Sequence, residues 1–307
     1  MQIRTSLPAE SEKACVLALG NFDGVHLGHR RLLEHGLEQA ERLGVGCNVL
    51  IFEPHPLKTL FPERGLKLIT TVEERLRRFE KIGIETVYLL PFTQEMADTS
   101  PEQFVEKVLR PIGVVHVVVG FNYSFGARGL GDPTLLQELG GQYGFGVSVL
   151  QAQTVDSRVI SSSSIRKALL QGDIVSAKTM LGRSPCLCGR VVHGEERGRQ
   201  LGYPTANICP DDDLLIPKRG VYAVWAVLEG RRVYGMMNIG MKPTFHEMYV
   251  TTIEVHFFDY EGDLYDQDVI VHLKGRLRDE RKFKGMTELM TQLKKDKLEA
   301  QRFFELL

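Results

Sequence analysis

From the N-terminus to about residue 183 the sequence alternates short β-branched runs with helix-patterned segments. That alternation constrains the fold most strongly, because strands joined through amphipathic helices pair in parallel as βαβ units. The strands read as residues 16–19, 47–52, 86–90, 114–119 and 145–150. Helical patterns fill 30–43, 72–81, 101–109 with a stop at Pro111, 133–140, 162–171 and 174–181. Near residues 183–185 the pattern changes. The runs 186–193, 221–228, 232–239, 251–258 and 268–277 are separated by Gly, Pro and Asp turns and predict a small antiparallel β-barrel, followed by one helix over 286–304. A chain of 307 residues accommodates two such domains, 1–183 and 184–307.

Charge narrows the partners. The 38 basic and 39 acidic residues leave a net charge of −1, so no global field favours nucleic acid or an anionic membrane, and any anion must be held by a local site. The apolar runs are too short to span a bilayer and the N-terminus has no signal-peptide pattern, which predicts a cytoplasmic protein. Five cysteines without a CxxC pair or zinc-ligand spacing predict reduced thiols.

The stretch GNFDGVHLGHR follows the first strand and opens a helix. Gly20, Gly24 and Gly28 let the backbone approach a ligand, and the helix N-terminus offers free N–H groups to a phosphate. On a helical turn His26 and His29 share one face, where both can donate to one anion. Surface or capping histidines are the plainer explanation, and the pairing around Gly28 weighs against it. Neither a Walker loop nor GxGxxG is present. Fixed donors instead suit nucleotidyl transfer, in which charge builds on the α-phosphate of ATP. In ISSSSIR, the hydroxyls of Ser161, Ser162 and Ser163 with Arg166 form a second candidate phosphate clamp, although a serine run is more often an ordinary cap. Two strand-end stretches, FEPHPL and GFNYSFGARGLGD, carry aromatic rings that either pack in the core or stack on a flat heterocycle, and Asn122 can bond a base or a ribose.

GNFDGVHLGHR, FEPHP, GFNYSFG and ISSSSIR, in that order, resemble the FMN adenylyltransferase module of the prokaryotic bifunctional riboflavin kinase/FAD synthetase family. The resemblance implies an HxGH nucleotidyltransferase-type α/β domain. It also implies ATP contacts from Gly20, Asn21, Phe22, Asp23, Gly24, Gly28, Ser161, Ser162, Ser163 and Arg166, with His26 and His29 catalytic. Flavin contacts would come from Phe52, Pro54, His55, Pro56, Asn122 and Phe125. Ser163 stands where that family usually has threonine and keeps the hydroxyl.

In the second half, GRVVHGEERGRQLGYPTANI places Thr205 and Asn207 on the same side of an extended chain, two hard oxygen donors suited to magnesium. Alone, PTAN reads as a turn into a strand. Glu254 alternates with Ile253 and Val255 and leaves the core face. It is either an ordinary surface carboxylate or a general base for a primary alcohol. RLRDERKF reads as a mixed-charge surface unless a ligand reaches it.

These stretches, with NIGMKPTF, are similar to the riboflavin kinase barrel of the same family. The resemblance implies Mg2+ on Thr205 and Asn207, and kinase ATP contacts from Gly194, Arg197, Gly198, Gly202 and Pro204. It makes Glu254 the base and assigns flavin contacts to Arg278, Glu280 and Phe283. The implied substrates are ATP, riboflavin and FMN. Asp266 replaces the usual glycine of that family, in a left-handed turn that Asp tolerates. Two rivals are an adenylyltransferase whose barrel only binds flavin, and a sensor that binds without turnover.

Overall fold

β2 (Cys15–Leu19) is buried along its whole length, as expected of a strand covered on both faces. It sits inside a six-stranded sheet in this computed structural model, which describes residues 1–8, 13–194, 202–243 and 249–305. The first unit holds β1 (Gln2–Arg4), α1 (Leu27–Leu43), β3 (Gly46–Glu53), α2 (Pro56–Leu60), α3 (Val72–Ile82) and β4 (Thr86–Pro91). It continues through α4 (Gln94–Ala97), the helical segment α5 (residues 101–112), β5 (Val114–Gly120), α6 (Pro133–Tyr143) and β6 (Gly146–Leu150), and ends in the hairpin β7 (Thr154–Val155) and β8 (Arg158–Val159).

The strand order is β1-β4-β3-β2-β5-β6 and every pairing is parallel. Alternating side chains supply two cores. Leu17, Leu19, Val117 and Val119 pack with Phe104, Val108 and Leu109 on one face, and Val16, Ala18, Val49 and Ile51 pack with Leu33 and Phe79 on the other. From β2 the chain proceeds outward through β3 and β4, then crosses to β5 on the opposite side. The strand order therefore reverses between β2 and β5, and loops at their carboxyl ends flank the crevice where open α/β sheets bind ligands.

The chain divides into two compact units, Met1–Leu68 with Val72–Ser161, and Ile69–Thr71 with Ser162–Leu307. The second unit begins with α7 (Ser162–Gln171) and α8 (Ile174–Leu181). Its closed barrel contains β9 (Cys186–Val192), β10 (Ala206–Pro210), β11 (Gly220–Leu228), β12 (Arg231–Pro243), β13 (Tyr249–Phe257) and β14 (Asp268–Arg278), ordered β10-β13-β12-β11-β14-β9. Tyr222, Val224, Met237, Val255 and Leu273 are fully buried. Outside, α9 (Met286–Arg302) brings Ala300 and Leu293 onto Ala223, Met236 and Phe258.

Three differences from the sequence reading have local causes. The barrel gains a sixth strand, because PTAN leads directly into β10, which pairs with both β9 and β13. The helix expected to stop before Pro111 continues to Ile112. A π turn at Val105–Leu109 bonds Arg110 N–H to the Val105 carbonyl, and Gly113 at φ 79° ends the helix. α1 starts at Leu27 rather than residue 30, since His26 is its N-cap.

Candidate functional site

In the first unit, the turn after β2 is shaped by left-handed backbone at Phe22, Gly24 and Val25, with Phe22 and Asp23 buried. It delivers His26 to the start of α1, where His26 Nδ1 accepts the His29 N–H at 3.2 Å. The neutral His26 ring therefore carries its proton on Nε2, which makes that nitrogen the donor. The His26 and His29 rings stack with centroids 3.6 Å apart and planes 14° apart, and the edge of Phe22 supports His29 at 5.2 Å. A Cβ at Gly28 would lie 3.2 Å from the His26 ring, so the glycine between the histidines leaves room for the stack. These imidazoles stand at the N-terminus of a 17-residue helix beside the strand-order reversal, a place suited to a phosphate.

Arg75, missed in the sequence reading, is 0% exposed. From α3 its guanidinium donates to the Asn21 carbonyl at 3.1 Å and to Glu53 at 3.1 Å, linking the loop after β2 to the end of β3. An arginine in EERLRRF normally reads as helix surface; only its spacing from Phe79 on the buried face, four residues on, hints otherwise.

The expected flavin residues have mixed surroundings. Phe52 is half-buried against Phe92, Pro54 is exposed, and Pro56 opens α2. His55 is buried and caps α2 by accepting the Leu57 N–H at 3.2 Å. Asn122 is exposed after β5, whereas Phe125 is 6% exposed and packs on Phe104 and Tyr123 in the core. Ser161 closes the first unit; in the second, Ser162 and Ser163 begin α7, with Arg166 half-buried one turn on.

The second unit is organised by one row of strand register. Arg278 pairs with Val221, Val221 with Asn238, Asn238 with Glu254, Glu254 with Asn207, and Asn207 with Val192. Paired residues point to the same side of a sheet, and adjacent strands lie about 4.8 Å apart. Val255, next to Glu254, is fully buried in the barrel, so Glu254 and its row face outward. The Glu254 carboxylate accepts from Lys242 Nζ at 2.7 Å through Oε1. The Asn207 amide crowds the space where a side chain at Gly194 would begin. Thr205 and Asn207 offer a hydroxyl and an amide oxygen beside a carboxylate, a donor set that fits a hard divalent cation.

Beyond Thr205 opens a pocket of about 580 Å³ lined by residues that include Pro204, Thr205, Phe257, Tyr260, Asp263 and Tyr265. The backbone approach to Thr205 is pinned where His256 Nδ1 donates to the Pro204 carbonyl at 2.8 Å. Burial holds the His256 imidazolium below its ordinary range, opposed by that hydrogen bond. Gly202 takes φ 76° and is exposed; Arg197 and Gly198 lie outside the described residues. On the other side of the row, the Glu280 carboxylate accepts the Met241 N–H at 3.3 Å and, with the Asn238 amide, fills the space a side chain at Gly240 would need, while Arg278 lies 5.8 Å from the Phe283 ring. Asp266 adopts φ 60° and donates its N–H to the Val191 carbonyl, so the turn expected to tolerate it does so.

Comparison with known proteins assigns residues 8–164 to the FAD synthetase family model and 181–304 to the riboflavin kinase family model. A bifunctional riboflavin kinase/FMN adenylyltransferase of Bacillus subtilis is 38% identical over 299 residues, covering 96% of this chain and 94% of the relative. A protein of the same description from Escherichia coli K12 is 35% identical, covering 98% and 96%. A crystal structure described as a macrolide-efflux protein from Streptococcus pneumoniae matches with TM-score 0.87 at 30% identity over 96% of each chain. Among the described residues of this chain, no helix is long and apolar enough to cross a membrane.

Proposed function

The chain belongs to the bifunctional riboflavin kinase/FMN adenylyltransferase family, and from that premise we propose how its residues divide two reactions. It phosphorylates riboflavin to FMN and adenylylates FMN to FAD. We assign the kinase to a domain beginning near residue 184 and the adenylyl transfer to the preceding residues.

In the kinase step Glu254 takes the proton from the terminal hydroxyl of the riboflavin ribityl chain as its oxygen attacks the γ-phosphorus of ATP, and ADP leaves. Lys242 occupies one carboxylate oxygen, which leaves the other to receive the proton. Thr205 and Asn207 hold the divalent cation, which we propose is Mg2+; when bound, it supplies positive charge to the transferring phosphates. The ATP base and sugar occupy the pocket beside Thr205 and Tyr265, with Pro204 on its wall; Gly194, Arg197, Gly198 and Gly202 are assigned further ATP contacts. Arg278, Glu280 and Phe283 hold the flavin on the opposite side of Glu254. The register row is the observation that supports this reading, because Glu254 stands in it between Asn207 on one side and Asn238, Val221 and Arg278 on the other.

In the second step an FMN phosphate oxygen attacks the α-phosphorus of ATP and pyrophosphate leaves. His26 and His29 donate to the α-phosphate as charge grows on it, aided by the N–H groups of α1. Ser161 is assigned a further phosphate contact. Phe52, Pro54, His55, Pro56 and Asn122 are assigned to the flavin end, with Phe125 acting as the packed support beneath it. Both reactions use small soluble substrates, and we place the protein in the cytoplasm. Incubating riboflavin, Mg-ATP and the protein, followed by chromatography, should give FMN and then FAD; recovery of riboflavin alone would refute the assignment.

A further inference from the structure

The C-terminal helix does more than cover the barrel. Asp296 on α9 is 0% exposed, and its carboxylate accepts from Arg278 Nε at 2.9 Å and from the terminal nitrogen Nη2 at 2.7 Å, a two-pronged pair. Gln292, one turn earlier on the helix, donates to the same carboxylate at 2.7 Å. Arg278 Nη1 donates to the Asp279 carbonyl at 2.9 Å. Three of the five guanidinium N–H groups are thus engaged, while the Arg278 side chain stays 21% exposed beside Phe283.

We infer that Asp296 is a positioning residue for riboflavin, acting through Arg278. The inference rests on the reading that Arg278 contacts the flavin. Two parallel bonds to a planar guanidinium fix its orientation as well as its place, which a single contact cannot do. A free arginine would lose rotamer freedom on meeting a ligand; the clamp spends that freedom during folding, so the flavin meets a side chain already aimed. Stability alone gives little reason for such a pair, since well-packed apolar residues often replace buried ion pairs without loss. The clamp also ties α9 to the end of the register row that carries Glu254.

The test is steady-state kinetics of the full chain with riboflavin and FMN as alternative substrates. Asp296→Asn keeps the shape and removes the charge. It should raise the KM for riboflavin about tenfold while kcat for phosphorylation stays within about threefold, because binding rather than chemistry loses its preorganisation. Its KM for Mg-ATP in the kinase reaction and its rate of FMN adenylylation should match the parent. Gln292→Leu, a milder change that leaves the ion pair, should raise riboflavin KM about threefold and decides the matter if Asp296→Asn does not fold. Arg278→Met tests the underlying assignment: an unchanged riboflavin KM there removes Arg278 from the flavin site. If Arg278→Met raises that KM and neither Asp296→Asn nor Gln292→Leu does, the positioning role is wrong. Adding Asp296→Asn to Arg278→Met should cost nothing further in riboflavin KM; an additive loss would overturn action through Arg278.

Discussion

The stacked histidines depend on a missing methyl group. Gly28 sits in the first turn of α1 without a positive φ, so alanine suits its backbone, yet the new Cβ would press on the His26 ring at 3.2 Å. Gly28→Ala should therefore fold normally and lower the rate of FMN adenylylation roughly tenfold, because small displacements of positioned groups are costly. Steady-state rates beside a thermal melt check this. Removing the donor itself, as in His29→Ala, should cost the same reaction roughly a hundredfold to a thousandfold. Thiol reactivity separates buried from exposed cysteines. Burial pushes Cys15 up to about 11 and Cys47 up to about 12, whereas Cys209 is exposed. Alkylation of the native protein near neutral pH, followed by peptide mapping, should label Cys209 and spare Cys15 and Cys47. At this scale the motifs were legible, since His26, His29, Thr205, Asn207 and Glu254 lie in short distinctive stretches. Arg75 and Asp296 were not legible, because each acts on a partner 18 or more residues away in sequence, and neither stretch differs from a solvated helix face.

Among the elements, β10 and β13 meet where Asn207, a proposed cation ligand, pairs with Glu254, the proposed base, and His256 fastens the chain entering β10. The folded His256 holds its neutral form against an ordinary value of about 6.5, so its contribution to stability is present above that value and lost as pH falls below it. His116, on β5, shifts the same way, with burial the main cause and the positive charge of Arg42 and the neighbouring His35 adding to it. Thermal stability should thus fall on acidification below about 6.5, and His256→Asn, whose amide can replace the Nδ1–H donor, should flatten part of that slope. An unchanged slope in that variant would remove His256 as a contributor. Long periodic elements such as α1, α3, β5 and β11 were readable because burial imposes their patterns. The three-residue β1 and the short β10 were not, since so few residues carry no period and their pairing comes from distant strands. The helix through Pro111 escaped notice for a related reason: a π turn absorbs the lost donor, and nothing in the local sequence announces it.

For the whole molecule, the central claim is that two chemistries share one chain without sharing their reacting residues. The histidine pair lies in the parallel-sheet unit and Glu254 on the barrel of the other. The switch from βαβ alternation to antiparallel turns near residue 183 made the start of the barrel strands readable, whereas the compact units divide at Ser161 and Ser162, which puts α7 and α8 in the same unit as the barrel. A general base contributes typically a hundredfold to ten-thousandfold, so the role proposed for Glu254 predicts that Glu254→Ala stops riboflavin phosphorylation on the timescale of the assay. The most direct measurement follows flavin products by chromatography for the parent, His29→Ala and Glu254→Ala, each supplied with Mg-ATP and either riboflavin or FMN. The parent should convert riboflavin to FMN and FAD; His29→Ala should accumulate FMN without FAD; Glu254→Ala should leave riboflavin untouched yet convert supplied FMN to FAD. Loss of both reactions in either variant, with melting unchanged from the parent, would contradict the account.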